Sequence, residues 1–151
     1  MNSSKIIGMG YYVPDNVITN EELSKRIETS DEWIQTRSGI KERRWATEEI
    51  TTFNLAHKAS LNAISNAGIK PQDIDMIIVG TLSSDYFFPG VSAQLQESLN
   101  LNTIGAFDIK AACSAFIYSL SIADQFIKTG MATNILVVGA EVQTPQLDFD
   151  N

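Results

Sequence analysis

Hydrophobic and polar positions along the 151-residue chain fall into two periods, one for strands and one for helices, and the segments they mark alternate. Met76-Ile77-Ile78-Val79 and Ile135-Leu136-Val137-Val138 are unbroken apolar runs bounded by polar residues. Their shortness and two-sided apolarity predict buried strands from Asp75 to Thr81 and from Asn134 to Ala140. Thr103 to Asp108 adds a third strand, and Lys5 to Val13 and Ile40 to Trp45 read as β-like stretches. Between them the period changes. From Thr52 to Ala67, Ala56, Ala59, Ala63 and Ala67 recur at helical spacing, and Gly68 suits the left-handed residue that ends a helix. Val91 to Leu99 is helical. Cys113 to Thr129 is an apolar helix predicted to bury Phe116, Ile117, Leu120, Ala123 and Ile127 and to close at Lys128 and Gly130. Two short helices open with capping boxes: Thr19 with Glu22 ahead of Glu22 to Ile27, and Thr29 with Glu32 ahead of Asp31 to Ser38, which Gly39 ends. Pro71-Gln72-Asp73 marks a turn. This alternation predicts an α/β domain with a largely parallel sheet.

Composition narrows what such a domain does. At 44% hydrophobic and 19% charged, the chain can build a real core, and no linker, short repeat or low-complexity segment divides it. One continuous domain is expected. No apolar run approaches the roughly 20 residues of a membrane-spanning helix. Met1 to Lys5 leads into a β-like stretch without a secretory apolar segment, so the expected address is the cytoplasm. One cysteine and one histidine exclude an internal disulfide and the usual zinc sites. A formal charge of −7, with only 11 Lys and Arg, argues against nucleic acid as a partner. Arg37, Lys41, Arg43 and Arg44 nevertheless form a local positive island around Glu42. Gly8-Met9-Gly10 invites comparison with a dinucleotide-binding loop. The comparison fails, because Val13 stands where a third glycine is due and Pro14 interrupts the helix that would receive a pyrophosphate.

Cys113 is the candidate nucleophile. In Asp108-Ile109-Lys110-Ala111-Ala112-Cys113-Ser114-Ala115-Phe116 it stands where a strand gives way to a helix, among small residues that let another molecule reach the backbone. A helix N-terminus favours the thiolate, and its amides can donate to an oxyanion formed on a thioester carbonyl. That geometry suits covalent acyl transfer. Free cysteines are also among the most buried residue types, so the residues alone leave packing and catalysis both open. A second candidate site lies on the helix from Asp31 to Ser38, where Trp33 and Arg37 share a face. An indole beside a guanidinium suits stacking on a base and pairing with phosphate, although a core tryptophan next to a surface charge has the same spacing. His57 falls away from the alanine face of its helix and reads as a solvated surface residue with no assigned role. Phe87 and Phe88, ahead of Pro89 and Gly90, are placed in a loop that exposes both rings to a partner or ligand; local packing explains them equally well.

The segment from Asp108 to Phe116 closely resembles the active-site segment of the β-ketoacyl-acyl-carrier-protein synthase III family. The resemblance continues through Ile6-Ile7-Gly8-Met9-Gly10-Tyr11-Tyr12-Val13-Pro14, Thr29-Ser30-Asp31-Glu32-Trp33-Ile34, Arg37-Ser38-Gly39-Ile40 and Val137-Val138-Gly139. It implies a thiolase-like α/β fold in which residues 1–151 form the N-terminal half-domain, a mixed, largely parallel sheet flanked by helices, with the C-terminal half absent from this chain. It further implies that Cys113 carries the acyl group. Thr29, Trp33 and Arg37 then contact coenzyme A, the indole stacking on adenine, and Phe88 reaches across a homodimer to line the partner's acyl pocket. The expected reaction initiates fatty-acid synthesis by condensing acyl-coenzyme A with malonyl-acyl carrier protein. Coenzyme A enters as a thioester substrate, with no permanently bound cofactor and no metal. The histidine and asparagine needed for decarboxylation, and an arginine completing the adenine clamp, would fall past Asn151, so these residues alone are expected to lack condensing activity. Ala115 departs from the glycine usual in the family and adds a methyl near the nucleophile. The alternatives are a non-catalytic binding or assembly half-domain, a synthase III-like enzyme of secondary metabolism, and a 3-hydroxy-3-methylglutaryl-coenzyme A-type synthase.

Overall fold

The computed structural model describes residues 3–147; Met1 and Asn2, part of the reading of the leader, lie outside them. In chain order the elements are β1 (Val17–Thr19), α1 (Asn20–Leu23), α2 (Asp31–Ser38), β2 (Glu42–Arg44), α3 (Thr52–Ala67), β3 (Met76–Gly80), α4 (Val91–Ser98), β4 (Gly105–Ile109), α5 (Ala115–Lys128) and β5 (Ile135–Gly139). Single 3-10 turns occupy Pro71–Asp73, Ala112–Ser114 and Thr144–Gln146. The described residues divide between two units, one within Met1–Tyr12 and Thr51–Glu141, the other within Val13–Ile50 and Val142–Asn151.

The first unit is built around a parallel sheet of order β4-β3-β5. The central strand β3 is buried along its whole length, as its unbroken apolar run predicts. Its side chains alternate. Ile77 and Val79 join Leu136 and Val138 of β5 on one face, against Ala56 and Ile64 of α3 and Val91 and Leu95 of α4. Met76 and Ile78 point the other way, into a cluster with Ala123 of α5 that Phe107 and Phe126 flank. The unit is therefore a three-layer α/β/α arrangement, α3 and α4 covering one face and α5 the other.

Two expectations fail here, for the same physical reason of close approach. Lys5 to Val13 joins no ladder. Instead the chain from Gly8 to Tyr12 runs along α3. A Cβ at Gly8 would stand 2.5 Å from the Ala67 Cβ, and one at Gly10 would overlap the backbone of Ala59 and Ala63. Met9 N donates to Asn66 Oδ1 at 3.0 Å, and Asn62 Nδ2 donates to the Tyr11 carbonyl at 3.0 Å. The glycine pair thus serves helix contact, and the alanine face divides: Ala56 enters the core, while Ala59, Ala63 and Ala67 receive the extended segment. On α5 the buried residues are Ala115, Ser119 and Ala123, whereas Phe116, Ile117 and Tyr118 are exposed, Ile117 at 59%. The expected burial of Phe116 and Ile117 is reversed because the small residues let the helix sit close to the sheet. A Cβ at Gly80 would lie 2.9 Å from the Ala115 Cβ.

The second unit pairs β1 with β2 antiparallel and centres on Asn20, which is 1% exposed. Asn20 Nδ2 donates to Asp31 Oδ1 at 2.8 Å and to the Ile40 carbonyl at 2.7 Å, and its Oδ1 accepts from Arg43. Arg43 also donates to the Ile18 carbonyl, and Arg44 to that of Pro14. Two members of the positive island are therefore structural. Hydrogen bonds from Asn20 and then Gln35, with Lys41 nearby, hold the Asp31 carboxyl below its ordinary value of 3.8. A carboxyl whose folded value is depressed contributes stability that is present above the unfolded value and lost as pH falls through the folded one. Melting the protein from neutral pH downward should therefore show destabilisation setting in below about pH 3.8, and Asp31→Asn should flatten that part of the profile.

Candidate active site

The three parallel strands finish in register, Gly80 opposite both Ile109 and Gly139, so the loops after them leave the sheet at a single edge. Open α/β sheets bind ligands at this carboxyl edge. Thr81 N donates to the Ile109 carbonyl and Ala140 N to that of Gly80, both at 3.2 Å, which continues the strand pairing to the first loop residue.

The loop after β4 carries Cys113. Ala112 has φ +48°, in the left-handed region, which costs a residue with a Cβ about 1–2 kcal/mol. Such outliers are found where a site needs a sharp turn. Beyond that turn Cys113 stands exposed, as a free thiol, in the 3-10 turn ahead of α5. Within the described residues Cys113 is therefore not part of the packed core. The helix does not begin at Cys113 as expected: Ser114 N donates to the Ala111 carbonyl at 3.1 Å and Ala115 N to that of Ala112. Those two amides are engaged inside the turn and are not the donors to an oxyanion. Ala115 is 2% exposed, and a Cβ at Gly80 would lie 2.9 Å from its methyl, so the departure from glycine falls in the contact between α5 and β3.

The loop after β3 presents Phe87 and Phe88, 97% and 86% exposed, as the sequence predicts. Three carboxylates hold the ends of this loop and its surroundings. Glu141 accepts from Leu82 N at 2.7 Å, from Ser83 N at 3.0 Å and from the Ser83 hydroxyl. Asp85 accepts from Thr52 N and Phe53 N at the start of α3, and Asp108 from Val91 N and Ser92 N at the start of α4. Carboxylates at helix N-termini complement both the free amides and the macrodipole. No spacing in the sequence announces these three anchors, since each reaches its partners through the fold.

The second unit carries Thr29, Trp33 and Arg37. Ser30, not Thr29, caps α2, its hydroxyl accepting from Trp33 N at 3.1 Å. The expected capping box at Thr29 and Glu32 does not form, and a one-sided cap at Ser30 takes its place. Thr29 Oγ1 is left buried without a hydrogen-bond partner. Glu28, Thr29, Ser30 and Trp33 line a shallow pocket of about 220 Å³, and the Arg37 guanidinium lies 5.3 Å from the centroid of the 57%-exposed Trp33 ring. The structure therefore brings Thr29, Trp33 and Arg37 together, as the helical spacing predicts for the last two. His57 is not a solvated residue: it is half-buried and its ring stacks on Phe53 at 5.6 Å. No cluster of three or more metal-ligating side chains occurs among the described residues, and none of their helices is long and apolar enough to cross a membrane.

Comparison with known proteins places these features. The family model for 3-oxoacyl-[acyl-carrier-protein] synthase III matches residues 107–151, the segment that includes Cys113. The β-ketoacyl-[acyl-carrier-protein] synthase III of Fusobacterium nucleatum is 50% identical over all 151 residues, which span 46% of its length. The crystal structure of 3-oxoacyl-[acyl-carrier-protein] synthase III from Aquifex aeolicus superposes with a TM-score of 0.92 at 49% identity, over 97% of this chain and 47% of that one. The priming β-ketosynthase of the R1128 polyketide pathway superposes at 0.94 with 33% identity, over 99% and 45%. The chain spans about half the length of the relatives it matches. The fold is α/β and thiolase-like, and over its whole length the chain is similar to the N-terminal half of β-ketoacyl-acyl-carrier-protein synthase III.

Proposed function

We propose that the protein containing this chain is an acyltransferase that primes fatty-acid synthesis, with residues 1–151 as its N-terminal half-domain. The Cys113 thiolate attacks the carbonyl of an acyl-coenzyme A; the tetrahedral oxyanion collapses, and coenzyme A leaves as its thiol with a proton from the site. Malonyl-acyl carrier protein then loses carbon dioxide, and its carbanion attacks the acyl-cysteine carbonyl, returning the Cys113 thiolate. The observation that carries this reading is Cys113, exposed after the left-handed Ala112 at the carboxyl edge of a parallel sheet. The decarboxylating histidine and asparagine match no position in these 151 residues, so the second step belongs to another part of the active protein. The exposed Phe116, Ile117 and Tyr118 suit cover by that part. The protein works as a cytoplasmic homodimer in which Phe88 lines the partner's acyl pocket, and it holds no resident cofactor or metal.

Coenzyme A enters over the second unit. Trp33 stacks on adenine, Arg37 pairs with phosphate, and Thr29 Oγ1 gains the hydrogen-bond partner it lacks; an unsatisfied buried hydroxyl costs about 1–3 kcal/mol. Titrating coenzyme A into the product of the complete reading frame should quench Trp33 fluorescence, a signal absent in Trp33→Phe. Arg37→Ala should weaken binding about tenfold, close to 1.4 kcal/mol. Equal affinity for pantetheine, which has no adenine, would contradict the site.

The likeness to the R1128 priming β-ketosynthase supports a second reading, a relative that primes polyketide synthesis. The two differ in the acyl primer and keep Cys113 in the same role.

A further inference from the structure

We infer that Asp108 is a positioning residue for acyl-chain selectivity, fixing the loop by which Phe88 reaches the partner's acyl pocket. This rests on the reading in which Cys113 accepts the acyl group and Phe88 lines the acyl pocket of the partner protomer. Helix α4 has Gly90 at its N-cap and no side-chain cap of its own. The missing acceptor comes from β4: Asp108 Oδ2 accepts from Val91 N at 2.8 Å and Oδ1 from Ser92 N at 2.9 Å. The two bonds use both oxygens, so the carboxylate fixes orientation as well as distance. Gly90 is required by the same contact, since a Cβ there would overlap the Asp108 carboxylate. Gly90 follows Phe87, Phe88 and Pro89 directly, and Asp108 precedes Ile109, Lys110 and the turn to Cys113. Lys110 makes a second link across the same gap, its Nζ 5.5 Å from the Phe87 ring centroid. Phe87 and Phe88 are almost fully exposed and find little packing of their own, so their position is set at the loop's ends. The Asp108 anchor thus ties the aromatic loop to the sheet of its own protomer through two hydrogen bonds, without touching the thiol's own turn.

The test compares Asp108→Asn, Phe88→Ala and the double variant in the product of the complete reading frame. Asn keeps one acceptor oxygen and turns an amide towards the other backbone N–H. Hydrogen exchange at Val91 and Ser92 should quicken about tenfold in Asp108→Asn while β3 keeps its protection. The rate of Cys113 alkylation by iodoacetamide should stay within about twofold of wild type, because the thiol's turn is untouched. The ratio of kcat/KM for acetyl- and octanoyl-coenzyme A should shift about tenfold, and in the Phe88→Ala background Asp108→Asn should shift it no further. Asp108→Glu, which keeps the charge with a longer reach, should recover part of the exchange protection. Unchanged exchange at Val91 and Ser92, protection lost throughout the sheet, or a selectivity effect that persists without Phe88 each overturns the assignment. Absence of acylation in the wild type would instead overturn the functional reading, with the exchange and alkylation results still deciding the anchor.

Discussion

Cys113→Ala is expected to leave the fold intact and to remove acyl capture completely. The thiol is exposed, so its loss creates no cavity, and urea unfolding should give a stability within about 0.5 kcal/mol of wild type. Incubation with radiolabelled acetyl-coenzyme A should then leave the variant at background, against one acyl group per chain in the wild type. The two readouts together separate chemistry from packing. A packed cysteine would cost stability when truncated and would not be labelled at all. Cys113→Ser refines the result: the hydroxyl is a far weaker nucleophile at its ordinary pKa, so acyl transfer should fall steeply with the fold unchanged.

Gly80→Ala is expected to damage the fold and the nucleophile segment together, because the added methyl meets the helix that follows Cys113. Its Cβ would lie 2.9 Å from both the carbonyl carbon and the Cβ of Ala115, and 3.1 Å from Phe116 N. These atoms are mostly backbone in the first turn of α5, so relief requires moving the helix. Overpacking of this kind costs about 1–3 kcal/mol, and the displacement passes directly to the Cys113 turn, which is continuous with α5. The midpoint of urea unfolding should fall and acyl capture should drop with it. The compensating change is Ala115→Gly, which frees the space facing Gly80. Pairing it with Gly80→Ala should recover part of both losses, and no recovery would show that the contact is not what limits the helix.

The elements that sequence reads best are those whose ends carry their own chemistry. Helix α3 begins and ends where Thr52, Ala67 and Gly68 place it, and α2 runs from Asp31 to the left-handed Gly39. The buried strands were equally legible, because β3 and β5 are short unbroken apolar runs. Lys5 to Val13 misleads because alternation signals an extended chain and says nothing of what lies beside it; here the neighbour is a helix. The α5 face misleads because ranking residues by hydrophobicity selects Phe116 and Ile117, whereas the helix seats itself by size, with Ala115, Ser119 and Ala123 inward. Ser30 displaces Thr29 as the cap because either of two adjacent hydroxyls can accept from a backbone amide three residues on, and the Glu32 that favoured Thr29 is not used for a box. In the site, small residues around a cysteine and an indole four residues before an arginine were visible, and the family resemblance gave them roles. The anchors Asp85, Asp108 and Glu141 were invisible. Their partners lie as far as 59 residues away for Glu141 and 17 for Asp108, and only a folded sheet edge brings them together.

The central claim is that Cys113 accepts an acyl group from coenzyme A. Its most direct test is the mass of the Cys113 peptide after the product of the complete reading frame has been incubated with acetyl-, butyryl- and branched acyl-coenzyme A thioesters. The predicted result is one acyl group on that peptide with at least one of the thioesters, an equal amount of free coenzyme A released, and neither in Cys113→Ala. An unmodified Cys113 peptide with every thioester, or an acyl group found on a different residue, would contradict it.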